Sequence, residues 1–155
     1  MSTSISKPVF EHSFTVSTDD QNTVKDFLAK STNWLKVIPG CEKGTIEEND
    51  EGFILKGGNM SYAFSDTTKG NQGESIYYQY SVHVQGKKMG LPIDFQFDAH
   101  WTINAQEGAG NGCIVKRQVT NFKVLKCSFF LKGLLKAKFR KVCKKEHKNI
   151  ADLLK

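Results

Sequence analysis

Four histidines are the side chains in this sequence best suited to acid–base chemistry near neutral pH. His83 and His100 occur in alternating segments on the side that carries polar residues, and His147 lies among lysines near the C-terminus. We expect these three to face water. His12 differs, because it lies between two phenylalanines on the apolar side of its segment. A polar ring buried there needs a hydrogen bond, so His12 is either a core histidine bonded to backbone or water, or a group that contacts a ligand or substrate.

Three tyrosines raise the same question. Tyr62, Tyr78 and Tyr80 occur in segments of strand-like alternation, and the last two share the apolar side of theirs. A few hydroxyls among apolar walls are typical of a small-molecule site. The rings would serve equally well as core residues whose hydroxyls reach water. Both interpretations stay open at this point.

Several kinds of catalytic site are excluded by their missing motifs. The sequence contains no Gly-x-Ser-x-Gly nucleophile, no phosphate-binding P-loop and no dinucleotide fingerprint. No two cysteines are spaced as Cys-x-x-Cys, and no histidine pair has metal-ligand spacing, which argues against zinc. We therefore assign no catalytic residue, metal ligand or cofactor. The four cysteines are Cys41, Cys113, Cys127 and Cys143. Because residues 1–7 lack the apolar stretch of a secretory signal, we expect reduced thiols and a cytoplasmic location.

The chain is long enough for one domain, which we place at residues 8–155 after a flexible arm at residues 1–7. No apolar run approaches the roughly 20 residues that a membrane-spanning helix needs. The two-residue period predicts a strand over residues 9–16, and two short helices follow it. A long antiparallel meander comes next, with a loop at residues 67–73 and its clearest strand at residues 93–104. The predicted fold class is α+β.

A long amphipathic helix is predicted over residues 128–154. Its apolar stripe comprises Leu131, Leu135, Phe139, Val142, Ile150 and Leu153, and Phe130 and Leu134 widen it. A curved antiparallel sheet wrapped around such a helix tends to leave a cavity between the two. This order of elements resembles the helix-grip superfamily, also called START-like or SRPBCC, which includes polyketide cyclases and the birch-pollen-allergen family. The resemblance covers nearly the whole chain.

A sharper local resemblance lies between the second short helix and the next strand. The segment Ile38-Pro39-Gly40-Cys41-Glu42 is similar to one in the carbon monoxide dehydrogenase G-type subunit family. Members of that family are helix-grip domains associated with binding a lipophilic quinone near the membrane. The resemblance implies a lipophilic ligand for this chain. In the alternative interpretation, Pro39-Gly40 only turns the chain from helix to strand while Ile38 packs inward.

Binding or transport of a hydrophobic small molecule is the leading hypothesis for function. The ligand would be a lipid, an isoprenoid or quinone, or a polycyclic aromatic compound. Predicted wall residues are Phe14, Tyr78, Tyr80, Phe95, Phe97 and Trp101, and the predicted lid is Leu131, Leu134 and Leu135. His12 and Tyr62 are the candidates for orienting polar contacts. The alternative is an enzyme of the polyketide cyclase or dehydratase type, with His12 or a tyrosine as acid or base.

Positive charge is concentrated at the C-terminal end. Residues 123–155 contain 11 lysines and arginines against two acidic residues, whereas residues 1–122 contain 11 against 14. The segment is either a solvated helix face or a surface for an anionic membrane or a partner protein. The basic residues proposed for a membrane are Lys132, Lys136, Arg140, Lys141 and Lys144. Nucleic acid is not an expected partner, because Asp94 and Asp98 occupy the side of their strand opposite its aromatic residues.

Overall fold

The computed structural model describes residues 8–106 and 112–155, so the predicted arm at residues 1–7 lies outside the described residues. The strands are β1 (Phe10–Val16), β2 (Thr45–Glu48), β3 (Gly52–Gly57), β4 (Met60–Gln72), β5 (Ser75–Lys88), β6 (Leu91–Ala105) and β7 (Cys113–Cys127). The helices are α1 (Gln21–Ala29), α2 (Trp34–Val37) and α3 (Phe129–Leu153), with a 3-10 turn at Ser31–Asn33 before α2.

One antiparallel sheet contains all seven of these strands, in the order β1-β7-β6-β5-β4-β3-β2. Irregular register in the β4–β5 pair and in the β6–β7 pair bends the long strands and increases their twist. The long helix α3 packs against β1 and α2, on the apolar face of the sheet. The predicted fold class, α+β with a curved antiparallel sheet around a long C-terminal helix, is confirmed.

In β6, the apolar residues that alternate with polar ones in the sequence are the residues that the fold buries. Phe95, Phe97 and Trp101 are buried on the inner face. Trp34 of α2 packs between the helices and this face. Its indole Nε1 donates a hydrogen bond to the carbonyl oxygen of Leu28 at 2.8 Å, and its ring contacts three aromatic rings of the sheet. The helical layer is therefore tied to the sheet by aromatic packing.

The predicted loop at residues 67–73 is wrong. Residues up to Gln72 belong to β4 and pair with β5, with Lys69 opposite Tyr78, and the chain turns only at Gly73, whose φ is +64°. The residues here are mostly exposed and polar, so they lack the apolar alternation that identifies a half-buried strand from sequence. Hydrogen bonding to the partner strand determines their conformation.

Two of the histidines lie on the outer face, as expected. His83 is half exposed, and its Nε2 lies 2.5 Å from a carboxylate oxygen of Asp94. His100 contacts the hydroxyl of Thr120 through Nε2 at 3.0 Å. Both are held by polar side chains of the next strand, so neither is directed at the interior of the fold.

Candidate functional site

The two halves of α3 pack differently against the sheet. The C-terminal half buries Cys143, Glu146, His147 and Ile150, whereas the N-terminal half buries only Leu131 and Leu135. Facing the looser part of the helix, the structure has a partly open pocket of about 490 Å³. That volume is within the usual range for small-molecule sites, about 300–1,000 Å³.

Apolar side chains from both layers make most of the pocket wall. From the sheet come Phe64, Val82, Val84, Ile93, Phe95 and Phe97, and α3 contributes Leu135, Phe139 and Val142. The inward positions of β5 and β6 supply these residues because side chains two positions apart share a face of a strand. An apolar compound entering this space would lose contact with water on most sides.

The segment with the local family resemblance forms another part of the wall. Ile38, Pro39, Gly40 and Cys41 all line the pocket. The turn requires Gly40 in a left-handed conformation, with φ of +86°. Burial raises the pKa of the Cys41 thiol to about 11, so the sulfur is protonated at neutral pH. Cys41 is therefore a wall residue here and not an activated nucleophile.

A buried ion pair is the principal polar feature of the pocket. Nη1 of Arg117 on β7 donates to a carboxylate oxygen of Glu146 on α3 at 2.8 Å, and both residues line the pocket. The guanidinium also lies over the ring of Trp101, 4.8 Å from its centroid. Burial raises the pKa of Glu146, and Arg117 opposes that rise. Within the described residues, Nε of Arg117 has no hydrogen-bond partner.

Sequence reasoning missed this pair although each partner carried a signal. Arg117 alternates with two inward valines, at positions 115 and 119, so a charge stands at a core position of β7. Glu146 lies three and four residues from two buried positions of α3, Cys143 and Ile150. The buried side of the helix was predicted from apolar residues alone. That prediction omitted Glu146, which is buried, and included Val142 and Leu153, which are more than one-third exposed.

The expectation that His147 faces water is wrong. Its side chain is 1% exposed and stacks on Phe14, with ring centroids 4.6 Å apart. Its Nδ1 lies 2.8 Å from Nδ1 of His12, so one of the two rings donates to the other. Burial, then Arg117, then His12 lower the pKa of His147 to about 2, which leaves it neutral at physiological pH. The cause is helical spacing, since position 147 is four residues from the buried Cys143.

The predicted site residues divide between the pocket and the core behind it. Those that line the pocket are Tyr62, Phe95, Phe97 and Leu135. Those that do not line it are the buried Tyr78, Tyr80, Trp101 and Leu131 and the half-buried His12 and Phe14. The hydroxyl of Tyr80 accepts a hydrogen bond from Nε1 of Trp101 at 2.9 Å. Burial raises the pKa of all three tyrosines, that of Tyr78 to about 12.

One predicted lid residue is on the outside. Leu134 is 55% exposed, and it borders a shallow groove on the outer surface of α3 with several basic residues. At 100° per residue, position 134 lies about 80° around the helix from the middle of the side that buries Leu131 and Leu135, so it falls on the flank of that side. Leu134 therefore does not cover the pocket in this structure.

Three exposed lysines are among the residues that line the pocket, and their exposure marks its opening. Lys87 and Lys88 lie at the end of β5, beside the turn that carries Met89, and Lys138 lies on α3. Desolvation lowers the pKa of Lys88, and the adjacent ammonium of Lys138 lowers it further. The opening therefore has a positive potential that favours an anionic group.

Comparisons with known proteins identify the fold. No family model and no curated protein matches the chain. Among solved structures it is similar to a conserved protein from Geobacillus kaustophilus, with TM-score 0.56 and 16% identity over 92% of this chain and 94% of that chain. Two others are more distant. A protein from Rhizobium loti has a TM-score of 0.38 and 11% identity over 90% of this chain and 94% of that chain. A protein from Staphylococcus epidermidis has a TM-score of 0.32 and 12% identity over 94% of this chain and 91% of that chain. The likeness to the Geobacillus protein covers the fold alone and is consistent with the helix-grip-like arrangement described above, an antiparallel sheet with a long C-terminal helix.

Proposed function

We propose that this protein binds or transports a hydrophobic small molecule in the pocket between the sheet and α3. The observation that carries the proposal is the pocket itself, about 490 Å³ with walls mainly of aromatic and aliphatic side chains. The candidate ligands are a lipid, an isoprenoid or quinone, or a polycyclic aromatic compound. Removing ~300 Å² of apolar ligand surface from water would contribute about 7 kcal/mol before the costs of association.

We further propose that the chain is a START-like, or SRPBCC, protein related to the carbon monoxide dehydrogenase G-type subunit family. The position of Ile38, Pro39, Gly40 and Cys41 in the pocket wall supports this, because the segment that carries the resemblance contacts the proposed ligand space. We place the protein in the cytoplasm or peripherally at a membrane. Its four cysteines are all unpaired, as is usual for a reducing compartment.

Charge at the two ends of the pocket supports an amphipathic ligand. The exposed Lys87, Lys88 and Lys138 line the outer part of the pocket, whereas the buried Arg117 and Glu146 supply hydrogen-bonding groups on the inner wall. An apolar body with an anionic end would satisfy both the walls and the opening. The ligand would then enter with its anionic end last and leave that end beside the lysines.

An enzyme of the polyketide cyclase or dehydratase type is the second candidate. The specific observation in its favour is that Glu146, a carboxyl group of raised pKa, and Tyr62 both line the pocket. His12 packs against His147 and is not among the lining residues. A catalytic role of Glu146 would require Glu146→Gln to abolish turnover while ligand affinity is retained. His12→Ala would then leave turnover intact.

The test is ligand binding by a protein whose pocket is blocked. Val142 lines the opening and is 37% exposed, so Val142→Trp would fill the entrance without displacing the core. Ala137→Trp, on the exposed outer surface of α3, is the matched control. The protein from its native source would be examined by native mass spectrometry before and after denaturation. Binding of 1-anilinonaphthalene-8-sulfonate would then be titrated for all three proteins.

We expect a co-purifying mass that leaves on denaturation. We also expect the dye to bind the Val142→Trp variant at least about tenfold more weakly than the other two proteins, because the indole occupies its site. Equal dye affinity in the three proteins, together with a bare native mass, would refute the proposal. Matching urea midpoints for the two tryptophan variants would show that blockage and not unfolding is measured.

A further inference from the structure

Large exposed apolar side chains concentrate at one end of the molecule. Phe129 is 90% exposed, Phe130 84% and Met89 82%, and Leu91, Leu125 and Leu134 are between 38% and 55% exposed. We call these six residues the apolar tip. Single exposed apolar residues are ordinary. A group that includes two almost fully exposed phenylalanines indicates an interaction surface for a membrane or another protein.

Strand register brings these residues together although they are far apart in the sequence. Lys88 pairs with Leu91 across the turn between β5 and β6, and Ile93 pairs with Cys127 at the end of β7. The turn and the β7–α3 junction therefore lie at the same end of the sheet. Met89 also lines the pocket opening, so the apolar tip borders the entrance.

The two segments that carry the apolar tip have charge of a single sign, and the acidic residue that follows the first of them, Asp94, lies opposite Lys126 and contacts His83. Residues 86–93 and 123–145 contain eleven lysines and arginines and not one aspartate or glutamate. The five basic residues proposed for a membrane from the sequence, Lys132, Lys136, Arg140, Lys141 and Lys144, are all exposed and belong to this region. Exposed phenylalanines flanked by lysines on the same surface are typical of segments that lie in the interface of an anionic bilayer.

A protein partner fits this surface less well. The centre of a protein–protein interface is depleted of lysine, because a desolvated ammonium group needs a paired acid. Here Lys126 and Lys132 lie within three residues of Phe129 in the sequence, and both are exposed. A headgroup layer lets the ammonium groups remain hydrated beside lipid phosphates while the rings enter the acyl boundary.

We infer that the apolar tip docks onto an anionic lipid bilayer and turns the pocket opening toward the membrane. Phe129 and Phe130 insert at the interface, and the surrounding lysines contact the headgroups. The loosely packed N-terminal half of α3 lies against the bilayer surface. A ligand could then pass between membrane and pocket without crossing water. Docking is independent of the proposed ligand, because it depends on the surface alone.

Vesicle flotation with the full chain tests the inference. The probe is vesicles of phosphatidylcholine with a minority of phosphatidylglycerol, compared with vesicles of phosphatidylcholine alone. Phe129→Ala/Phe130→Ala removes the insertion and leaves the core intact, because neither ring is buried. Ile114→Ala/Leu153→Ala, which truncates exposed apolar residues elsewhere, is the matched control.

A second pair of variants tests the charge. Lys132→Ala/Lys136→Ala neutralises two exposed lysines beside the apolar tip. Lys69→Ala/Lys148→Ala neutralises two exposed lysines on β4 and on the C-terminal half of α3. We expect affinity for anionic vesicles to fall about fivefold for each lysine removed beside the tip, and to fall with added salt. The remote pair should retain most of the wild-type affinity.

We expect flotation with anionic vesicles only, and about tenfold weaker binding for each phenylalanine removed. The matched control should bind as the wild type does. The inference is overturned if the protein does not float, or if the phenylalanine variant and its control bind equally. It is also overturned if light scattering shows a dimer that only the phenylalanine variant dissociates, because a second copy would then cover this surface.

Discussion

Burial of His147 makes the free energy of unfolding depend on pH. The ring is 1% exposed and its pKa in the folded protein is about 2, whereas an unfolded histidine titrates near 6.5. Between these values the unfolded chain binds a proton that the folded protein excludes. Because the unfolded state binds more protons, the free energy of unfolding rises with pH in this window. The contribution is fully present above pH 6.5 and is lost as the pH falls below it.

The expected size follows from the same values. Each pH unit below 6.5 removes about 1.4 kcal/mol, so a change from pH 7.5 to 5.0 costs about 2 kcal/mol through this residue. Urea unfolding followed by tryptophan fluorescence at both pH values measures the loss. His147→Phe removes the titrating group and retains an aromatic ring against Phe14. We expect this variant to lose about 2 kcal/mol less than the wild type on acidification.

A control isolates the effect from the titration of other groups. Groups remote from His147 contribute equally in both proteins, so the difference between the two pH dependences reports the loss of this ring. Leu134→Ala, which changes an exposed residue on the outer surface of α3, should retain the wild-type pH dependence. Identical pH dependences for wild type and His147→Phe would show that His147 accepts a proton in the folded state, which would refute the account of its burial.

The other predictions concern the pocket wall and the core. Glu146→Leu should lower the free energy of unfolding by about 3–5 kcal/mol, because it leaves Arg117 charged and unpaired, and adding Arg117→Met should recover most of that loss in urea unfolding. Leu135→Ala should cost about 2 kcal/mol or more, whereas Leu134→Ala should change stability by less than about 0.5 kcal/mol in the same assay. Burial raises the pKa of the Cys143 thiol to about 12, so iodoacetamide should modify Cys143 only after unfolding, as followed by mass spectrometry.

The elements whose side chains alternate between core and solvent were predictable from sequence. The inner face of β6, with Phe95, Phe97 and Trp101, is where the two-residue period placed it. Predictions failed where residues are polar on both sides, as in the distal half of β4. They also failed where a polar residue is buried, as at His147. In both cases local hydrophobicity does not report the environment that packing creates.

The proposed wall was predicted in part. Phe97 and Tyr62 line the pocket, while Tyr80 is in the core behind it and Leu134 is outside. The sequence shows which side of a strand a residue occupies, but not how far along the sheet the helix makes contact. That distance decides which inward residues border the pocket and which are covered.

The sequence by itself determined the α+β class, the long amphipathic helix and the basic C-terminal segment, because these depend on local periodicity and composition. Only the tertiary structure brought together groups that are distant in the chain. Arg117 and Glu146 are 29 residues apart, and His12 and His147 are 135 apart. Their pairing depends on how α3 crosses the sheet, a geometry set by the sum of many packing contacts. For the same reason, the pocket and the apolar tip are properties of the assembled fold.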